Sequence, residues 1–214
     1  MNYLHDIIWL VVAYLVGSIP TAYIVAKRAR GIDIRQHGSG NVGATNVFRS
    51  IGRKWGSIVL ACDLFKGWLV AAILAPTSGA FPELTLALRQ ILFGAVAISG
   101  HAWTPWLKLK GGKGIATAAG ALIGIFPRAT IIALGIWILS FLIGGYVSVA
   151  SIIATISFPI GLLIFYRYTE SFPTIFLISL LLAGFLIYNH RANIARLKQG
   201  TEPRVTFGKK KKST

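Results

Sequence analysis

Acidic side chains are scarce in this 214-residue chain: six Asp and Glu stand against 22 Lys and Arg, for a formal net charge of +16. The segments that carry most of the polar residues hold almost no carboxylates, only Asp33 and Glu202. No Ser/His/Asp set is apparent, no His-x4-Asp occurs, and metal-ligand spacing is missing. The sequence therefore implies no metal and no cofactor. An enzyme built on it works by positioning and electrostatics, not by a strong protein base. A single cysteine, Cys62, excludes an internal disulfide framework. It lies inside an apolar run, where packing is the expected role. Charge of either sign is thin at 13%, against about 25% for a soluble domain. The apolar blocks lack the two-residue alternation of a membrane β-barrel. The first one has no basic leader and no small-residue cleavage site, so it reads as a retained span.

What the chain does have is long apolar runs, with 55% hydrophobic residues and a mean hydropathy of +0.67. About 20 apolar residues cross a hydrocarbon core, and only helices satisfy their own backbone there. The runs predict an all-α integral membrane protein of about seven spans, at 4–26, 55–75, 84–100, 115–126, 129–143, 151–166 and 172–188. The fourth is too short to cross alone. The fourth and fifth together also read as a re-entrant hairpin, which leaves five crossings and the same parity.

Such a positive charge in a soluble protein suggests nucleic acid. Here its placement speaks for topology instead. Segments 27–54, 101–114 and 189–214 hold 18 of the 22 basic residues, and they fall on one side of the membrane. Basic residues stay cytoplasmic, so the N-terminus is expected outside and the C-terminus inside. Residues 1–198 form the membrane domain and 199–214 a basic cytoplasmic tail, whose lysine run at 209–212 suits anionic lipids. Chemistry on polar substrates is expected at the cytoplasmic face.

The first cytoplasmic segment reads Gly38-Ser39-Gly40-Asn41-Val42-Gly43-Ala44-Thr45-Asn46, followed by Arg49. Closely spaced glycines allow a nest of N–H groups that binds anions, and Arg49 offers a fork suited to phosphate. A flexible linker is the plainer reading, but it gives no reason for so many donors beside an arginine. The second segment contains Gly100-His101 and Trp103-Thr104-Pro105-Trp106, then Lys110-Gly111-Gly112-Lys113-Gly114 running into a helix start. Helix N-termini favour anions. Simple cytoplasmic anchoring is the alternative. His101 is open between a structural and an acid–base role. The Gly144-Gly145-Tyr146-Val147-Ser148 turn adds Ser148 as a possible phosphate donor. After the last span, His190 and Asn193 lie three apart on one helix face, which suits a polyhydroxyl substrate. Asp63 and Lys66, three apart within the second span, read as a structural ion pair facing the bundle interior.

These motifs in this order, with Asp63-Leu64-Phe65-Lys66-Gly67, resemble the bacterial glycerol-3-phosphate acyltransferases that use acyl phosphate, the PlsY family. The resemblance runs from the first span to about Arg196. It implies acyl transfer from acyl phosphate to the 1-position of glycerol 3-phosphate, giving lysophosphatidic acid at the cytoplasmic face of the bacterial inner membrane. It further implies Ser39, Arg49 and Lys113 as activity residues and His190 and Asn193 as glycerol 3-phosphate residues. Gly40, Asn41, Asn46 and Ser148 would line the phosphate pocket. Membrane lipids and the soluble enzyme that makes acyl phosphate are the implied partners; nucleic acid is not. A phosphate-ester transporter would need internal repeats and spans broken at the midplane. A lipid-binding scaffold would need only the basic clusters.

Overall fold

The computed structural model describes residues 3–205, and these form helices joined by turns and loops. The lysine run 209–212 lies outside the described residues. Apolar sequence without strand alternation leaves the helix as the way to satisfy each backbone group locally.

Helices α1 (Tyr3–Ser18) and α2 (Thr21–Arg30) follow one another as a 28-residue apolar segment. Pro20 interrupts it, because proline offers no N–H and fixes its own φ. The interruption leaves carbonyls to be satisfied from outside the helix. Lys66 Nζ donates to Ile19 O at 3.0 Å, and Thr104 Oγ1 donates to Ser18 O at 2.7 Å. Inside the polar segment that follows sits α3 (Ala44–Ile51). Next comes α4 (Arg53–Trp68), which continues through a π-helical stretch, Leu69–Leu74, into α5 (Ala75–Thr77). The remaining helices are α6 (Leu86–Ala102), α7 (Ile115–Ile125), α8 (Pro127–Gly144), α9 (Val147–Tyr166) and α10 (Phe172–Tyr188). A 55° bend leads from α10 into α11 (Arg191–Lys198).

By length and composition, four helices among the described residues can cross a bilayer, or five if the bent α10–α11 pair counts as one span. At 1.5 Å per residue, the 11 residues of α7 reach only about 16 Å, half of a hydrocarbon core. Its place in the fold comes from packing. A Cβ on Gly67 of α4 would overlap the Thr117 carbonyl of α7, and one on Gly120 of α7 would overlap the Leu64 carbonyl of α4. Two glycines thus let the backbones touch, as small residues do between membrane helices.

Side-chain placement reverses that of a soluble protein. The buried positions are rich in alanine, such as Ala13, Ala97, Ala129 and Ala150. Large apolar side chains point out, including Leu139, Leu142, Leu181 and Ile143, the last 82% exposed. Water would make so large an apolar surface a liability; lipid makes it a fit. Cys62 also faces outward rather than packing in the core.

Candidate active site

Eight of the nine residues singled out from sequence line one cavity of about 250 Å³: Ser39, Asn41, Asn46, Arg49, Lys113, Ser148, His190 and Asn193. The ninth, Gly40, lines an outer vestibule of about 430 Å³. Ser39, Asn41, Lys113 and Asn193 border both spaces, and Arg35, Lys110, Arg191 and Arg196 make the vestibule basic. On the other side an apolar slot between α7, α8, α9 and α10 shares Ile115, Ala119, Leu134, Trp137 and Ser151 with the cavity.

The first loop is stitched by Asn46. Its Nδ2 donates to the carbonyls of His37, Asn41 and Ile34 at 2.9, 3.0 and 3.1 Å, and its Oδ1 accepts the Ser39 N–H at 3.0 Å. Asn46 lines the pocket, but its amide is used by the loop and not offered as a ligand donor. Gly38, at φ +59, sits so close that a Cβ there would overlap Asn46 Oδ1. Ser39 Oγ and the Asn41 amide make no hydrogen bond among the described residues, so both remain available to a ligand.

In the second loop, Gly111 N–H donates to Ala102 O at 2.9 Å and Gly112 N–H to His101 O at 3.1 Å. These two amides therefore fasten the loop to the end of α6 and are not free to bind an anion ahead of the α7 start. A Cβ on Gly112 would overlap the His101 ring and crowd Val42 O. The same loop is tied to the α1–α2 break, where Trp106 Nε1 donates to Ser18 Oγ at 2.9 Å. This footing aims Lys113 inward: its Nζ donates to Asn193 Oδ1, while Asn189 Nδ2 donates to Lys113 O at 3.3 Å.

The chain beyond Lys198 folds back onto the site. Glu202 is buried, with Oε1 accepting from Ser148 Oγ and Asn193 Nδ2, both at 2.7 Å, and Oε2 from Arg196 Nε at 2.8 Å. Arg49 donates to Pro203 O at 3.1 Å, and Val205 N–H to Gly145 O at 2.8 Å. Sequence reasoning missed Glu202 because it stands in a tail read for its positive charge. The available signal was a lone carboxylate after a Gly-Thr turn in an otherwise basic segment. The Ser148 hydroxyl, expected to donate to phosphate, donates to this carboxylate instead.

Lys113, Arg49 and Arg196 together outnumber Glu202 by two charges, the complement of a phosphate dianion. Burial, then Arg196 and Arg49, lowers the Lys113 ammonium to about 8, with Glu202 opposing the drop. Burial also lowers Arg49. It pushes the Glu202 carboxyl up, but the bonds from Asn193, Ser148 and Arg196 outweigh it and hold the group below the usual range. Burial, then the Lys113 charge, brings His190 down to about 4. Its Nδ1 lies 2.8 Å from Leu186 O. A carbonyl only accepts, so Nδ1 carries the proton and Nε2 is a bare acceptor.

Deeper in, Asp63 and Lys66 form the ion pair that their spacing predicts, at 2.8 Å with both side chains buried. Thr21 Oγ1 also donates to Asp63 Oδ1, at 2.6 Å. Asp63 and His101 line the cavity with Leu60 and Leu64 of α4. No group of three or more His, Cys, Asp or Glu fit to hold a metal occurs among the described residues.

The arrangement can hold a phosphate on a cationic floor, seat an apolar chain beside it and offer a neutral imidazole between. Residues 7–200 match the family model described as glycerol-3-phosphate acyltransferase. The chain is 43% identical to the Desulforudis audaxviator glycerol-3-phosphate acyltransferase, covering 98% of this chain and 100% of that one. It is 41% identical to the Chlorobaculum tepidum enzyme of the same name, over 94% and 97%. Its fold matches crystal structures of PlsY (YgiH), an integral membrane glycerol 3-phosphate acyltransferase. The glycerol 3-phosphate form gives a TM-score of 0.83 at 35% identity, covering 94% of this chain and 96% of that one. The lysophosphatidic acid form gives 0.81 at 34%, over 94% and 95%. With so much of its length shared in both sequence and fold, this chain belongs to the glycerol-3-phosphate acyltransferase family.

Proposed function

We propose that this membrane-embedded glycerol-3-phosphate acyltransferase of phospholipid synthesis takes its acyl group from acyl phosphate. The observation that carries the reading is one cavity with a cationic floor at Lys113 and Arg49 and an apolar slot opening from its side. Acyl phosphate and glycerol 3-phosphate both bring phosphate to that floor, and the slot suits a fatty chain. The 1-hydroxyl oxygen attacks the acyl carbonyl carbon, and the carbonyl carbon–phosphate oxygen bond breaks. The products are lysophosphatidic acid and inorganic phosphate. The hydroxyl proton leaves with the departing phosphate, itself a base, so no carboxylate base is needed.

Lys113 bridges the two phosphates, while Arg49 and Ser39 hold the donor phosphate with Asn41 beside them. His190, through its bare Nε2, accepts the hydrogen bond of a glycerol hydroxyl. Asn193 aims Lys113, and Ser148 and Gly40 complete the polar wall. Alignment and charge neutralisation supply the catalysis. The vestibule opens to the cytoplasm, with the N-terminus outside, the C-terminus inside and seven helical passes in the bacterial inner membrane. The distribution of Lys and Arg supports that orientation. Substrate reaches the vestibule from the soluble enzyme that makes acyl phosphate.

The test is product formation by detergent-purified protein given glycerol 3-phosphate with palmitoyl phosphate or palmitoyl-CoA. Lysophosphatidic acid from the phosphate donor alone, lost in Lys113→Ala, is the expected result. Equal turnover of palmitoyl-CoA would remove acyl phosphate as the preferred donor.

A further inference from the structure

Two histidines line the cavity, and their neighbours fix them in opposite senses. His190 gives its Nδ1 proton to a carbonyl, which leaves Nε2 bare. His101 faces a donor instead. Its Nδ1 lies 2.9 Å from Lys66 Nζ, whose other contacts are Ile19 O at 3.0 Å and Asp63 Oδ1 at 2.8 Å. An ammonium has three protons and accepts nothing. Those three protons are matched by three acceptors, one of them His101 Nδ1. The Asp63 carboxylate, 3.6 Å from Nδ1, is beyond hydrogen-bond reach. Nδ1 is therefore the lone-pair nitrogen, and the proton of the neutral ring sits on Nε2.

Nε2 makes no hydrogen bond among the described residues. The buried side-chain polar atoms that lack a partner there are Arg89 Nε and Thr117 Oγ1. Nε2 is the ring atom that a Cβ on Gly112 would meet first, yet it is not one of these sealed atoms, so part of its surface reaches the cavity that His101 lines. The ring is wedged between Gly112, next to Lys113, and α4, whose Leu60 and Leu64 form part of the cavity wall.

We propose that His101 Nε2–H is the hydrogen-bond donor to the carbonyl oxygen of the acyl group being transferred. The inference rests on the acyl-transfer reading above. An acyl donor with its leaving group on Lys113 and its chain entering the apolar slot past Ile115 and Ala119 carries its carbonyl through the cavity that His101 also lines. As the hydroxyl attacks, negative charge gathers on that oxygen, and a donor already fixed beside it lowers the barrier. The proton stays on Nε2 throughout, so His101 is an electrophilic partner and not a base. The Asp63–Lys66 pair is then the device that sets its tautomer, as a neighbouring donor or acceptor does for histidine generally.

Two conservative variants separate this role from a packing role. His101→Asn keeps an acceptor for Lys66 but has no donor long enough to reach the cavity. His101→Gln carries an amide N–H close to the Nε2 position. Detergent-purified full chain would be assayed with glycerol 3-phosphate and palmitoyl phosphate. His101→Asn is expected to lose about 10²–10³-fold in kcat, the usual cost of one oxyanion donor, while KM for glycerol 3-phosphate and Tm stay near wild type. His101→Gln is expected to recover most of that loss. Wild-type kcat in His101→Asn overturns the proposal. So does an equal loss in both variants accompanied by a raised KM and a lowered Tm, the mark of a disturbed loop. Nitrogen NMR of wild-type protein labelled at histidine tests the tautomer without a mutation; a proton on Nδ1 of His101 overturns the proposal as well. A wild-type protein that makes no lysophosphatidic acid from any acyl donor fails the functional reading itself, a separate outcome.

Discussion

Two ionic clusters stand in contact with the same cavity, and they are built on opposite principles. In the inner one, Asp63 and Lys66 balance each other and every Lys66 proton has an acceptor. In the outer one, Lys113, Arg49 and Arg196 exceed the single Glu202 by two charges. A balanced cluster can be buried at tolerable cost, and breaking it leaves a bare charge in a poor solvent. An unbalanced one is held apart by its own repulsion until an anion arrives. The difference teaches that charge left over marks the ligand site, while charge satisfied marks the framework that aims it.

The largest expected effects separate the two clusters most cleanly. Lys113→Ala should cut kcat/KM by on the order of 10³-fold or more, the scale of losing an electrostatic clamp, yet leave Tm unchanged or slightly raised because repulsion is relieved. Steady-state kinetics with a thermal melt in detergent reads both, and a large fall in Tm would erase the contrast. Asp63→Asn should do the reverse. It strands the Lys66 charge and should cost about 3–5 kcal/mol of stability, seen as a lower melting temperature before any kinetic change is interpretable.

Smaller effects sharpen the picture of the outer cluster. Burial depresses Lys113 to about 8, so its ammonium is intact below that pH and lost above it. The kcat/KM for glycerol 3-phosphate should therefore fall by about tenfold per unit on the alkaline side. Glu202→Gln removes the charge that holds the Lys113 value up, so this alkaline limb should move to lower pH. A limb that stays in place would detach Lys113 from the pH dependence. The mildest change is expected from Asn193→Ala. It frees Lys113 from its orienting partner and should raise KM for glycerol 3-phosphate by about tenfold, the worth of one charge-assisted hydrogen bond. An unchanged KM would count against the α11 face as a substrate surface.

Much of this site can be read in the chain before folding is considered. That the Gly/Ser/Asn loop with Arg49, the Lys113 loop and the His190/Asn193 face serve one site follows from residue types and from the side of the membrane expected for basic segments. The Asp63–Lys66 pair follows from helical spacing alone. What was hidden is how the polar groups are spent. Asn46 looks like one more ligand donor in sequence, yet three carbonyls and one N–H consume its amide. Gly111 and Gly112 look like free backbone donors before a helix start, yet their amides fasten the loop to α6. Glu202 looks like a stray acid in a basic tail, and it becomes the anchor for Ser148, Asn193 and Arg196. Each case turns on how a loop folds back on its own neighbourhood or, for Ser148 and Glu202, on a distant turn, which residue type and spacing do not encode.

Sequence by itself determined the helical character of the chain and the clustering of its positive charge, because both depend on local composition and on the energetics of moving apolar and charged groups between lipid and water. It also placed the residue types that a phosphate ester requires. Tertiary structure alone decided which polar groups remain free and which way His101 holds its proton. Those outcomes depend on who stands beside whom: Lys66 against His101 Nδ1, Glu202 folded back from beyond the last helix. Hydrogen bonds act over about 3 Å, and only the folded chain brings these atoms within that distance.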